Sequence, residues 1–456
     1  MESYNFDNKK VLVIVPHEDD EICVTGGILA SLPCSCKKYV IYTTNGNYIY
    51  RTKTRYMEAI KSCKILGVKK ENIIFLGYSD ESYNGKNHMY NTDEIWTDKY
   101  GNTQTSSTKN IREYCYAKTN NHNKFTKENI IKDLKSCISE IMPDYIFCVD
   151  LDFHPDHIMT SLCFEKAMGK ILHENVNYHP IVFKGFAYEN AYLGPNDFNQ
   201  EKVIPMQFNY IENRLVSNPY YTKENSINFN INSNTYTRNL RKNILYKAIK
   251  QHKSQLLVAK AFSLINPNVI YWSRNTNNLL NVADIKVSSG NKEYLNDFVI
   301  NDTSNVLNGN KEKIIYDKGI WIPDKRDNKK EINIKFNDYV YVEEMNIYNG
   351  NNNQKFVGKI KIMIDDESKT IDNNKYILNL KINKKVKNIN ITILDKIINN
   401  GFSEIEILDS TPKSMSSNIK FVNNEKYNLR VNELINKIGI FVTKCYRKLF
   451  IRKKIL

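Results

Sequence analysis

Six consecutive residues, Pro16, His17, Glu18, Asp19, Asp20 and Glu21, set an imidazole and four carboxylates directly behind an apolar run, VLVIV. A second cluster, Asp152, Phe153, His154, Pro155, Asp156 and His157, follows another such run, YIFCV. Two imidazoles and a carboxylate arriving from two strand ends can bind a divalent ion and leave one position open for water, which is how catalytic zinc sites differ from closed structural ones. Neutral imidazole suits zinc, and carboxylate tolerates zinc, iron or manganese, so the donor types predict a divalent cation ahead of its identity. Asp19, Asp20 and Glu21 also suit the first turn of a helix, where acidic side chains complement the dipole. Capping and ligation are compatible.

These clusters need elements to position them. The first 265 residues alternate short apolar runs with helical patterns, the sequence form of strand-helix-strand units around a largely parallel sheet. The pattern predicts strands over 10–16, 39–44, 72–76, 145–149 and 181–187, and helices over 19–32, 54–66, 126–142, 156–172 and 240–264, with Gly67 closing the second helix. Residues 78–123, rich in Tyr, Asn and Thr, read as a long irregular excursion of the kind that shapes a site. A doubly wound sheet places its chemistry beyond the carboxyl ends of its strands, so both clusters should face one crevice. The expected fold class is α/β, a Rossmann-like, mostly parallel sheet with helices on both faces.

PHEDDE together with HPDH, one after the first strand and one after a later strand, resembles the PIG-L or LmbE-like family of zinc-dependent N-acetylglucosamine deacetylases over about residues 8–260. The resemblance implies that His17, Asp20 and His157 ligate Zn2+ or another divalent metal, that Asp19 is the general base and that His154 stabilises the oxyanion. Arg55 and Glu58 match an RxxE pattern, and His252, Ser254 and Gln255 an HxSQ pattern; Arg55, Asp156 and His252 are thereby implied to bind substrate. A salt bridge for Arg55 with Glu58, and a structural role for His252, remain the alternatives. Glu18 stands where proline is commoner, and His88, His122, His173 and His179 read as ordinary residues outside any motif. The implied activity is hydrolysis of the N-acetyl group of an N-acetylglucosamine-type residue on a glycolipid or cell-surface glycan precursor, releasing acetate. Two rivals stay open: a deacetylase of a small soluble conjugate, and a glycan-binding scaffold that holds metal without turnover. An unliganded Asp19 beside the metal argues against the second.

From about residue 275 the chain turns to short β-rich runs such as EINIKF and NINITIL, separated by Asn, Gly and Asp turns. That is an all-β sandwich signature, and it loosely resembles coagulation-factor type C, or discoidin-like, modules, many of which bind glycans. Trp321 reads as core. In the tail, Val431, Leu434, Ile435, Ile438, Phe441, Val442, Cys445 and Leu449 recur at helical spacing among basic residues. A basic amphipathic helix of this kind either lies on an anionic membrane leaflet or docks on protein. The expected units are therefore 1–268, 269–415 and 416–456.

Of the formal net charge of +15, residues 421–456 hold +7, and no nucleic-acid motif is found in the rest, which disfavours a nucleic-acid partner. No apolar run reaches the roughly 18 to 20 residues needed to cross a bilayer. Nine cysteines without a CxxC pair, behind an amino terminus with no secretory pattern, predict reduced thiols and a cytoplasmic protein, peripheral on the inner membrane face if the tail binds lipid.

Overall fold

β-branched residues dominate the run KVLVIV, and it is extended: β1 (Lys10–Val15) is buried from Val11 onward inside a seven-stranded sheet. A strand apolar on both faces belongs where helices cover both faces. The structure, a computed structural model, describes residues 4–80, 88–151, 154–187, 226–237, 239–265, 268–300, 319–350, 357–373, 375, 377–396, 400–410, 441 and 445.

β2 (Lys37–Thr44), β3 (Ile73–Tyr78), β4 (Tyr145–Val149) and β5 (Ile181–Gly185) join β1 in parallel, in the order β3-β2-β1-β4-β5. The connections run through α1 (Asp20–Ser31), α2 (Thr52–Ile65), α3 (Tyr114–Thr119), α4 (Lys127–Ile141) and α5 (Pro155–Glu174). Successive strands step outward from β1 through β2 to β3, and the chain then returns to place β4 on the other side of β1. Such an order reversal opens a crevice above the carboxyl ends of the two central strands. One buried ammonium closes two helices on the opposite side: Lys38 Nζ donates to Leu29 O (2.7 Å) at the end of α1 and to Leu66 O (3.1 Å) at the end of α2. Free carbonyls at a helix carboxyl end attract a cation there.

Two expectations need correction. β7 (Asn268–Arg274) pairs antiparallel with β5 and β6 (Ser226–Asn230) antiparallel with β7, extending this same sheet, so the first unit runs past the expected boundary at 268. The helix expected over 240–264 is broken into Ile244–Ile249, a 3-10 turn Leu257–Lys260 and one turn Ala261–Leu264. The break has a tertiary cause. Ser254 gives its N–H and its hydroxyl to the Glu58 carboxylate (2.9 and 2.6 Å), His252 turns inward to Glu21, and Leu256 adopts φ +51. The excursion after β3 is largely irregular within its described part but holds the short helix α3, and Met89, Tyr90 and Trp96 are buried to anchor it.

The second unit is antiparallel: β8 (Asp284–Val287), β9 (Glu331–Asn349), β10 (Lys359–Ile364), β11 (Glu367–Asp372), β12 (Ile377–Ile393) and β13 (Phe402–Leu408). β9 and β12 pair along their length with register shifts between Lys381 and Lys384 and between Val386 and Asn388. The start of β9 takes β8 and its end takes β13, whereas β10 joins only the end of β12. The two long strands therefore pass through two layers. Ile332, Ile334 and Phe336 of one layer share a core with Val342, Ile347, Ile405 and Ile407 of the other, the arrangement of a sandwich. Trp321 is fully buried, stacked on Phe402 at 5.8 Å, with Nε1 donating to Ser289 O. The expected tail helix over 416–456 lies outside the described residues apart from Phe441 and Cys445.

Candidate metal centre

The loop behind β1 turns tightly because His17 N–H donates to Asp20 Oδ2 (3.1 Å) and Asp20 N–H to His17 O (3.1 Å). That turn brings His17 Nδ1 within 2.8 Å of Asp20 Oδ2. From the first turn of α5, His157 sets its Nε2 3.2 Å from Asp20 Oδ2 and 3.3 Å from His17 Nδ1. Ligand atoms arranged tetrahedrally at zinc bond lengths of about 2.0–2.1 Å stand roughly 3.3 Å apart, so these three donors fit a small divalent ion. His154 caps α5, and its ring centroid lies 4.7 Å from that of His17 and 4.8 Å from that of His157. The imidazoles of His17, His154 and His157 thus form a second grouping within reach of one ion.

Charge in this cluster is divided by environment. Burial works against a charge on His17, but the carboxylates of Asp80, Asp20 and Asp156 outweigh it and hold its imidazolium well above the usual range. Asp20 is likewise buried, and His157 and His17 keep it ionised well below the usual carboxylate range. Burial and the charges of His17 and His157 push His154 the other way, so it stays neutral. Its Nδ1 accepts the Asp156 N–H (3.2 Å), which leaves the ring proton on Nε2.

Asp19 precedes α1 and makes no side-chain capping bond. Its Oδ1 accepts from Arg55 Nη2 at 2.9 Å, and 17% of the side chain remains open to solvent. The carboxylate is therefore spent neither on the helix nor in the donor trio. Arg55 is buried in α2 and also donates through Nε to Glu18 Oε2 (3.4 Å). Glu18 is fully buried, and burial, against the pull of Arg55, raises its carboxyl to about 8. Gly46 leaves room for this pair: at φ +60, a Cβ there would stand 2.1 Å from Glu18 Oε2 and 2.9 Å from Arg55 Nε.

Three expected substrate contacts face protein groups instead. Asp156 has no exposed surface, and its oxygens meet His17 Nε2 (3.0 Å) and His88 Nε2 (2.9 Å). His252 is buried against Glu21 Oε1 (2.8 Å), which also accepts from Ser62, so it ties the end of the first unit to α1. Arg55 engages Asp19 and Glu18, and Glu58 belongs to Ser254 rather than to Arg55. Two site residues carry no motif signal: Asp80, following β3, whose Oδ1 is 3.5 Å from His17 Nε2, and His88. His17, Asp80 and Asp156 form a further grouping of potential ligand atoms. The position of Asp80 beyond a parallel strand end is the one hint to it that the sequence holds.

Residues 12–168, about a third of the chain, match the profile of the family PIG-L, described as GlcNAc-PI de-N-acetylase. A curated Plasmodium falciparum protein, a dual cyclic-AMP and cyclic-GMP phosphodiesterase beta, is 30% identical over 137 residues, which are 30% of this chain and 12% of that protein. Among solved structures, the N,N'-diacetylchitobiose deacetylase of Pyrococcus horikoshii is 18% identical, covering 45% of this chain and 72% of its own, at a TM-score of 0.27. A fucose binding module of Streptococcus pneumoniae is 16% identical, covering 29% of this chain and 98% of its own, at a TM-score of 0.24. At such scores these two structures assign nothing further. The family match spans β1 to α5 and includes every donor of the cluster, so residues 12–168 form a PIG-L domain.

Proposed function

We propose that the first unit is a zinc-dependent N-deacetylase acting on an N-acetylglucosamine-type residue of a glycolipid or cell-surface glycan precursor. One observation carries the reading: His17, Asp20 and His157 converge at ligand spacing beside a carboxylate, Asp19, that neither ligates nor caps. Bound there, a divalent ion supplies Lewis acidity toward the acetamide carbonyl and lowers the pKa of water from 15.7 to about 7. Asp19 takes the proton of the attacking water and returns it to the departing amine nitrogen, while Arg55 fixes the orientation of its carboxylate. His154, neutral and protonated on Nε2, donates to the amide oxygen as negative charge develops on it. The products are acetate and a free amino sugar.

A non-catalytic scaffold has no use for Asp19 held beside the donors by a buried arginine. A surface-linked substrate is favoured over a small soluble one by the basic, amphipathic stretch at the carboxyl end. The test is acetate release by the full chain from N-acetylglucosaminyl lipids and from soluble N-acetylglucosaminides. Turnover is expected on the lipids, with Asp19→Asn keeping the ion and losing roughly 100 to 10,000-fold in rate. An Asp19→Asn variant with parental turnover, or a parent that releases no acetate, overturns the assignment. Preference for the soluble compounds would overturn only the surface-linked part.

A further inference from the structure

His88 belongs to no motif and comes from the irregular excursion, yet it is buried at the metal centre. Its Nδ1 accepts the Tyr90 N–H (3.2 Å), so the ring proton sits on Nε2, which donates to Asp156 Oδ1 (2.9 Å). The other oxygen of Asp156 lies 3.0 Å from His17 Nε2. With one proton of His17 held on Nε2 by that oxygen, Nδ1 is the nitrogen that faces Asp20 and His157 and would give up its proton to a bound ion. The donor and acceptor roles are consistent along the whole chain, from a backbone N–H through one imidazole and one carboxylate to the ligand imidazole.

We infer that His88 is a positioning residue for the metal centre: it fixes the rotamer of Asp156 and, through it, selects Nδ1 of His17 as the ligand atom. The inference rests on the assignment of His17, Asp20 and His157 as ligands. Outer partners of ligating histidines raise their basicity and hold their orientation, and losing one typically weakens metal binding about 10 to 100-fold. Because His88 belongs to the excursion, its hydrogen bond to Asp156 also couples the fold of residues 88–125 to the geometry of the centre.

The test uses the full chain with Zn2+ competed against a chelator, and with Co2+ as a spectroscopic probe. His88→Met removes the donor at similar volume; His88→Gln restores an N–H to Asp156 and an acceptor to Tyr90. Zn2+ affinity about 10 to 100-fold below the parent and an altered Co2+ visible spectrum are expected for His88→Met, with His88→Gln within a few-fold of the parent on both. A folded His88→Met variant with the parent's affinity and spectrum overturns the inference and leaves the ligand assignment standing. A parent that binds neither ion overturns both. A measurement on the parent alone covers the case in which His88→Met does not fold: 15N spectra of the histidine rings should show His88 protonated on Nε2 and bare on Nδ1, and the reverse tautomer overturns the inference.

Discussion

Glu18 and Arg55 show how one substitution in a motif is accommodated. A carboxyl without exposed surface in the loop of the proposed ligands is tolerated because Arg55 reaches both it and the neighbouring Asp19. Removing one partner of a buried ion pair typically costs about 3–5 kcal/mol, since the other is left uncompensated. Glu18 can escape part of that by taking up a proton, because its carboxyl already lies near 8. The sign follows from linkage: a carboxyl raised in the folded state favours folding fully below its ordinary value, and that contribution is lost as pH climbs toward 8. Arg55→Met is therefore expected to lose about 3 kcal/mol in urea unfolding of the metal-free protein at both pH 5 and pH 7, because Glu18 keeps its proton at both. A single variant as stable as the parent at both pH values would show that the pair is not buried as described.

Among elements, β3 and α4 meet through a carboxyl that is costly to ionise. Asp133 on α4 accepts from Tyr78 OH (2.7 Å) at the end of β3 and from Asn123 Nδ2 (2.9 Å), and burial raises it to about 6 despite both bonds. The folded state thus holds this proton more tightly than the unfolded chain, and stability falls as pH rises from about 4 to 6. Holding the proton up to about 6, rather than releasing it at the ordinary aspartate value, is worth about 3 kcal/mol. Between those pH values Asp133→Asn should lose less stability than the parent by about this amount, measured by urea unfolding; parallel curves would remove Asp133 as the source. How far such elements were legible in sequence varies with where their partners come from. β1 and β4 were legible because a strand buried on both faces is written as one contiguous apolar run, and the proposed ligands adjoin those runs. His88 was not, since its partner lies 68 residues away with no repeat or spacing to link them. The break in 240–264 was hidden for a related reason: amphipathic periodicity continues through the segment, while the bonds that interrupt it run to Glu58, 196 residues earlier. β7 was obscured by Asn266, Pro267 and Asn268 at its start, where turn-forming residues put the expected boundary between units.

The whole molecule is more than two units in tandem, because α5 serves both. Its start carries the cap His154 and the proposed ligand His157, and its later turns bear on the start of the second unit: His173 Nε2 donates to Asn296 O (3.0 Å), and Phe298 and Val299 are buried in the core of the first unit. Arg274, at the end of β7, donates to Glu165 of α5 (2.9 Å) and to Phe298 O, with the Phe298 ring 4.5 Å from its guanidinium. Lys184 of β5 reaches the same Glu165 carboxylate (2.9 Å), so two buried cations fix the middle of the helix. The backbones approach closely at Gly169, where a Cβ would stand 2.2 Å from the backbone oxygen of Asp297. Helix propensity alone predicts that Gly169→Ala stabilises by about 0.5–1 kcal/mol. The docked segment predicts the opposite, since a backbone oxygen cannot swing away as a side chain can, and forced overpacking typically costs about 1–3 kcal/mol. Zn2+ affinity should be unchanged, because Gly169 lies roughly 18 Å along the helix from His157 at 1.5 Å per residue. Urea unfolding and a metal titration of Gly169→Ala check both halves: a stabilised variant would mean that the second unit does not rest on α5, and a weakened metal site would mean that α5 transmits the displacement to its first turn.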